Sequence, residues 1–391
     1  MINIAEKCVG CTACYNICPR KCIEMKENTE GFLYPVCNDS ICIKCGMCEK
    51  VCPIVNLPDF NNKDQKREGY IFQNSDCKVL AESTSGGFFS ALAESIISEN
   101  GVVFGAAYDE NFYLHHIYIE SNDKIGQFRN SKYVQSNPKE SFLQCKQFLQ
   151  NGRMVLYSGT PCQVAGLKCF LEKEYKNLIT CDVICRGVPS PGLFRDYVEW
   201  MGGKSKISNI LFRKKYKSYY SSFMTVHYIT GKTIRRDKHG DPMLKLFFND
   251  LCSRPSCYEC MFKTVDRVSD FTMFDSWHGF RYANGFKSYG TTGIIAHTAK
   301  GTDFIAKLSR QHKCISANYL DLLREDGCMM TQSVERNVNR DKFFNDYYSK
   351  GKGIFTSKYC KNGIYKRIII WIKMRLADIG ALGPILKLKI K

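Results

Sequence analysis

Apolar positions recur at helical spacing through Gly86–Asn100 (GGFFSALAESIISEN), and the continuous apolar run that follows, Gly101–Ala107 (GVVFGAA), predicts a buried strand. The same alternation continues along the chain. Met154–Ser158 (MVLYS) reads as a short strand, Pro161–Glu172 as a helix, Leu178–Ile184 (LITCDVI) as a strand and Pro191–Met201 as a helix. Strands alternating with helices predict α/β architecture around an at least partly parallel sheet. Ile207–Arg213, Phe223–Ile229 and Thr233–Arg236 add three further strands with a hairpin among them. Asn61–Gly69 (NNKDQKREG) is polar and turn-rich, as a linker is. No run of about 18 apolar residues occurs, so no membrane-spanning helix is predicted.

Length and composition sharpen this picture only in part. A chain of 391 residues exceeds one small core and suggests two or three domains. The 44% hydrophobic and 24% charged composition is that of an ordinary globular protein, but 22 cysteines are not ordinary. Met1–Gly10 has no apolar signal region. A cytoplasmic protein with reduced thiols holding metal is therefore favoured over a disulfide scaffold. The formal net charge of +18 could steer acidic redox partners or anionic lipid. Each [4Fe-4S] core with four thiolates removes about two of those charges, so three would leave about +12. No helix-turn-helix, RNP or zinc-finger pattern accompanies the lysines, which argues against nucleic acid.

The firmest chemistry lies near the N-terminus. Cys8-x-x-Cys11-x-x-Cys14-x-x-x-Cys18-Pro19 recurs as Cys42-x-x-Cys45-x-x-Cys48-x-x-x-Cys52-Pro53. Three closely spaced thiolates wrap one corner of a cubane, and the cysteine before the proline reaches the other cluster. The spacing assigns Cys8, Cys11, Cys14 and Cys52 to one [4Fe-4S] cluster, and Cys42, Cys45, Cys48 and Cys18 to a second. Zinc knuckles demand neither the third cysteine nor the proline. Cys22 and Cys37 fall outside both motifs and read as structural.

Beyond residue 58 the signals are weaker. No G-x-G-x-x-G, Walker A or H-E-x-x-H motif is present. Ser83-Thr84-Ser85-Gly86-Gly87 opens a predicted helix, whose amides could hold a phosphate or simply be capped by Ser and Thr. Cys162, Cys185, Cys257 and Cys260 lie beside turns or strand ends. Segments following successive strands gather at one sheet edge, so these thiols could meet there. On spacing alone a third cubane, a zinc ion and buried free cysteines all remain open.

Six ordered motifs make the chain resemble the family of coenzyme F-420 hydrogenase/dehydrogenase beta subunits. They are SxSGG at Ser83–Gly87, SKYVQS at Ser131–Ser136, GTPCQVAGLK at Gly159–Lys168, DVICRGVPSP at Asp182–Pro191, RPSCYECMF at Arg254–Phe262 and SDFTMFDSW at Ser269–Trp277. The resemblance runs to about residue 320. It implies a third [4Fe-4S] cluster on Cys162, Cys185, Cys257 and Cys260, and noncovalently bound FAD. Ser83, Ser85, Gly86, Gly87, Ser131, Lys132, Tyr133, Ser136 and Thr160 are its implied cofactor contacts, with Tyr133 also a packing candidate. Lys132, Asp275 and His278 are the catalytic candidates, with a solvated surface lysine and a turn-capping aspartate as the alternatives for the first two. The family's D-x-W-G is here Asp275-Ser276-Trp277-His278-Gly279, and its common Cys-His is Cys185-Arg186. His278 is a candidate proton donor or an ordinary surface histidine.

The resulting expectation is an α+β ferredoxin-like N-terminal domain (1–58), a linker (59–69), an α/β flavin-binding domain (70–325) and a helical basic extension (326–391). Its expected activity is that of an oxidoreductase passing electrons between clusters and FAD, toward an organic substrate or coenzyme F-420. Ferredoxin or another redox protein is the expected partner. A non-catalytic electron-transfer subunit, or an accessory redox protein of cell-surface polysaccharide synthesis, are the alternatives. The tail holds Ile368-Ile369-Ile370-Trp371-Ile372 among Lys366, Arg367, Lys373 and Arg375. It could dock on the domain or lie peripherally on a membrane.

Overall fold

Alternating and continuous apolar runs make most of the strands, and turn chemistry breaks them. The computed structural model describes residues 4–57, 67–282, 285–287 and 289–390. The N-terminal part holds α1 (Ala13–Ile17), an antiparallel hairpin of β1 (Ile23–Glu27) and β2 (Leu33–Cys37), and α2 (Met47–Lys50). There follow β3 (Glu68–Gln73), α3 (Cys77–Glu82), α4 (Phe88–Ser98), β4 (Val102–Tyr108), β5 (Leu114–Ile119) and α5 (Ser141–Gln150). The centre of the fold is β6 (Val155–Gly159), α6 (Pro161–Leu171), β7 (Leu178–Val183) and α7 (Pro191–Trp200). Pro161 sits at the first turn of α6, where its missing N–H costs nothing, and Thr160 and Gln163 form a capping box.

Next come β8 (Ile207–Ser218), β9 (Ser221–Tyr228), β10 (Thr233–Arg236) and α8 (Pro242–Phe248). The chain then returns through β11 (Phe271–Ser276), β12 (Thr291–Ala296), α9 (Ala299–Leu308), β13 (Lys313–Ala317) and α10 (Tyr319–Glu325). It finishes with α11 (Arg340–Lys350), α12 (Ile364–Asp378) and α13 (Leu382–Ile390).

The main sheet has eight strands in the order β13-β3-β12-β11-β7-β6-β4-β5. Its centre, β11-β7-β6-β4, is parallel, and the strands on either side are antiparallel. The expected partly parallel sheet is therefore present. The expected hairpin within β8–β10 is a separate three-stranded antiparallel sheet. The expected linker ends earlier than residue 69, because Glu68 and Gly69 already pair with Ala296 and Ala317. Residues 59–66 of that linker lie outside the described residues. Gly69 is needed there, since a Cβ would stand 2.6 Å from the Ala317 carbonyl.

The N-terminal part packs on α6. Gly166 lies against Cys11, where a Cβ would meet its Cβ and Sγ at 2.8 Å. Arg254, 0% exposed, joins the two parts: it donates to Cys8 O at 2.6 Å, Gln135 Oε1 at 3.0 Å and Leu33 O at 3.0 Å. Its guanidinium also lies 4.1 Å from the Tyr34 ring centroid. Buried Arg340 adds a two-pronged pair to Glu30 at 2.8 and 2.5 Å. Such forked, partly dry pairs orient better than lysine pairs do.

Candidate functional site

Three recesses follow one another through the molecule. The first is lined by Cys8, Cys11, Cys14 and Cys52, with Cys48 at its side. Residues from both arms of the duplicated motif thus share this recess. Burial pushes the Cys11 thiol up, and pushes Cys14 up to about 12 with help from neighbouring Cys8 and Cys52. Such a set can ionise only against a positively charged core, so the donor chemistry fits a metal cluster. The remaining ligands expected for a second cluster are more dispersed. Cys45 is exposed, while Cys18 and Cys42 stand beside Cys22 and Cys37.

The second recess is lined by Cys162, Cys185, Cys257 and Cys260. Cys162 opens α6 directly after β6, and Cys185 follows β7, so two parallel strands deliver them to one edge. Cys257 and Cys260 come from the turn after α8, which Arg254 and the Ser253–Pro189 bridge hold in place. Burial raises all four thiols, Cys257 to about 12. Arg186, Arg254, Lys263 and Arg267 share the lining. Such a cationic ring would offset the charge of thiolates held there, and Lys263 also donates to the Cys185 carbonyl. Sequence reasoning missed the ring because its members gather only in the folded chain.

The third recess is a cavity of about 470 Å³ at the same sheet edge. Ligand pockets commonly measure about 300–1,000 Å³. Ser83, Ser85 and Gly87 from the start of α4 line it, with Ser131, Lys132, Tyr133, Ser136 and Thr160. The two motifs are tied together: Ser131 N donates to Thr84 Oγ1 at 2.9 Å. Gly86 is absent from the lining and serves instead as a packing point. A Cβ there would lie 2.2 Å from the Phe72 carbonyl and 2.6 Å from Thr292 N. Tyr133 packs edge-on against Phe212 and Phe248 and tilted against Phe247.

Lys132 is half-buried, and its Nζ donates to Arg129 O at 3.0 Å. Without a nearby anion, desolvation pulls its ammonium down to about 7. Lys215, on β8 and outside the lining, is likewise lowered to about 7, and donates to Leu80 O and Ser85 O at 2.8 and 2.7 Å. Asp275 lines the cavity but is held by Arg213, whose guanidinium also lies over Trp277. His278 is not among the lining residues; its Nδ1 meets Asp326 at 2.8 Å. Arg213 carried no motif in the sequence and is brought into the lining by the three-stranded sheet.

The recesses adjoin. Val9 lines the first and second, and Cys185, Arg186, Gly187 and Val188 line the second and third.

Known proteins match the chain in two blocks. Residues 152–320 match the family described as the C terminus of the coenzyme F-420 hydrogenase/dehydrogenase beta subunit, and residues 7–56 match the 4Fe-4S dicluster domain. The F subunit of the F(420)H(2) dehydrogenase of Methanosarcina mazei is 23% identical over 183 residues, covering 44% of this chain and 51% of that protein. This chain thus spans about half the length of that relative. A 7Fe ferredoxin of Hydrogenibacillus schlegelii is 32% identical over 75 residues, 19% of this chain and 90% of the ferredoxin. Among solved structures, the F-420-reducing nickel–iron hydrogenase complex from Methanosarcina barkeri superposes with a TM-score of 0.46 at 17% identity, over 68% of this chain and 88% of that one.

Proposed function

Because this chain belongs to the family of coenzyme F-420 hydrogenase/dehydrogenase beta subunits, with a 4Fe-4S dicluster domain ahead of the family segment, we propose that it is an iron–sulfur flavoprotein oxidoreductase. The carrying observation is the unbroken succession of the two cysteine-lined recesses and the cavity, joined through Val9 and Cys185–Val188. Bound clusters supply single-electron transfer, and bound FAD would join that to two-electron chemistry.

In this reading Cys8, Cys11, Cys14 and Cys52 hold one cluster, and Cys18, Cys42, Cys45 and Cys48 the second. Cys162, Cys185, Cys257 and Cys260 hold the third, with Arg186, Lys263 and Arg267 balancing its charge. The start of α4 and Lys132 would take the FAD pyrophosphate, since amides at a helix start and a half-buried cation favour an anion. Asp275 fixes Arg213 over the cavity, and Lys132 is the lining lysine able to exchange a proton near neutrality. An organic substrate or coenzyme F-420 would bind beside the flavin. A ferredoxin or another redox protein would exchange electrons at exposed Cys45.

The second reading is a non-catalytic electron-transfer subunit. The relative from Methanosarcina mazei, itself named as a subunit, favours it. Anaerobic purification with iron and flavin analysis tests the main reading. It expects about twelve irons and one flavin per chain, and Cys257→Ser/Cys260→Ser should lose about four irons. About eight irons without flavin would leave only the N-terminal domain standing.

The tail is proposed to touch an anionic membrane surface. Ile364, Tyr365, Ile368, Ile369, Trp371 and Ile372 are all exposed on α12, beside exposed Lys366, Arg367 and Arg375. Among the described residues no helix is long and apolar enough to cross a membrane.

A further inference from the structure

Four thiols crowd the open end of the β1–β2 hairpin, and two of them belong to neither cluster motif. Cys22 precedes β1 and Cys37 ends β2, and the hairpin brings them together: Cys37 pairs with Ile23, and Asn38 N donates to Cys22 O at 2.7 Å. Their Sγ atoms are 3.8 Å apart. The Sγ atoms of Cys22, Cys37 and Cys42 all lie within 4.8 Å of one another, and Cys18 Sγ lies 3.3 Å from that of Cys22.

The mutual separations of Cys22, Cys37 and Cys42 select a coordination type, and Cys18, outside that group but 3.3 Å from Cys22, is the thiol at hand to complete it. Four sulfurs around one ion at about 2.3 Å sit about 3.8 Å apart along each tetrahedral edge. Thiolates on a cubane bind four different irons and must stand farther apart. The spacing points the same way. Cys18-x-x-x-Cys22 and Cys37-x-x-x-x-Cys42 are two short-spaced pairs at the ends of a hairpin, within the range zinc ligands use.

We propose that Cys18, Cys22, Cys37 and Cys42 form a tetrathiolate site for a single thiophilic divalent ion of the zinc class. The inference rests on the cluster reading in one respect: Cys18 and Cys42 are also ligands of the second cluster, so ion and cluster exclude each other. The exchange is neutral in charge. A divalent ion with four thiolates carries −2, as does a [4Fe-4S]²⁺ core with four thiolates. Supply of iron and sulfide therefore decides the occupant, rather than the surrounding electrostatics. A zinc ion has no accessible redox change. Its presence removes the outer cluster, beside exposed Cys45, and leaves the first and third in place. The hairpin then acts as a metal-supply gate on electron exchange with the partner.

The test compares full-length protein purified anaerobically from iron-replete cells with that from iron-limited, zinc-supplied cells. Metal analysis and zinc X-ray absorption are the readouts. Iron-limited protein is expected to carry one zinc per chain in an all-sulfur shell and about four fewer irons. Cys22→Ser/Cys37→Ser is expected to keep the replete iron content and to take up no zinc when iron is limiting. Zinc uptake undiminished in that variant, or iron-limited wild type without zinc, overturns the proposal. Loss of four irons by the replete variant also overturns it, because Cys22 and Cys37 would then serve the cluster itself. A replete wild type lacking the N-terminal irons instead overturns the cluster reading, so the two failures are distinguishable.

Discussion

At the scale of single residues, Lys132 shows how burial creates a testable charge. Its ammonium titrates near 7 in the fold, against about 10.4 when solvated. Between those values the unfolded chain binds the extra proton, so this residue makes stability rise as pH increases from 7 toward 10. Lys215 contributes with the same sign. Urea midpoints of the flavin-free protein at pH 7 and pH 9 should show that rise, and Lys132→Met should reduce it. An unchanged slope would mean that the lysine is hydrated. A bound anion restores the ammonium, so saturation with FAD should flatten the same slope. The sequence could mark Lys132 through SKYVQS, but neither its burial nor its backbone partners, because Arg129 O and Asn130 O face it only once the chain turns. The first cysteine set was far more legible, since its spacing already groups the thiols, whereas Cys162, Cys185, Cys257 and Cys260 are gathered only by the fold. His278 shows the opposite case: a departure in a motif singles it out, yet it pairs with Asp326, 48 residues onward at the end of α10.

At the scale of elements, local periodicity located α4, β4, β6, α6, β7, α7 and β8–β10 to within a few residues. It did not reveal β3 and β11–β13. Glu68–Gln73 follows a charged run and reads partly as linker, while Phe271–Ser276 lies inside a family motif. β11 joins β7 across 90 residues, as in Phe271 with Cys181, and β3 pairs with β12 and β13 across more than two hundred, as in Thr292 with Phe72. The start of α4 depends on that pairing. Gly86 is wedged against the backbone of β3 and β12, so Gly86→Ala has no flexible neighbour to displace. Overpacking of this kind costs about 1–3 kcal/mol. Gly126→Ala, with open space around its Cβ position, should change stability by no more than about 0.5 kcal/mol. Thermal melts of both variants check this, and equal melting temperatures would refute the wedge. The same logic applies to α6, where Gly166→Val would press on Cys11 and should release iron from the first recess before the third.

At the scale of the whole molecule, the C-terminal helices are attached on one side only. Ala377, Met374, Leu376 and Leu382 pack with Phe223 and Tyr216, while Lys373 and Asp378 face Asp237 and Arg235. The opposite arc of α12 stays uncovered, with Tyr365 83% and Trp371 60% exposed. A docking helix should bury that arc, and a solvent-facing helix should not be apolar along it. An aromatic and isoleucine face flanked by cations suits the boundary of an anionic bilayer, where each lysine or arginine contributes about 1 kcal/mol. That electrostatic share is lost as salt shortens the screening length. Full-length protein should therefore co-sediment with phosphatidylserine-containing vesicles at physiological salt, and several-fold less at 1 M salt or with neutral vesicles. Ile368→Glu/Ile372→Glu should abolish co-sedimentation with iron content unchanged, since neither residue approaches the cysteine-lined recesses. Binding that survives this variant would assign the contact to the general positive charge of the chain rather than to α12. Loss of binding together with a new dimer–monomer shift would assign the arc to a second copy of the protein.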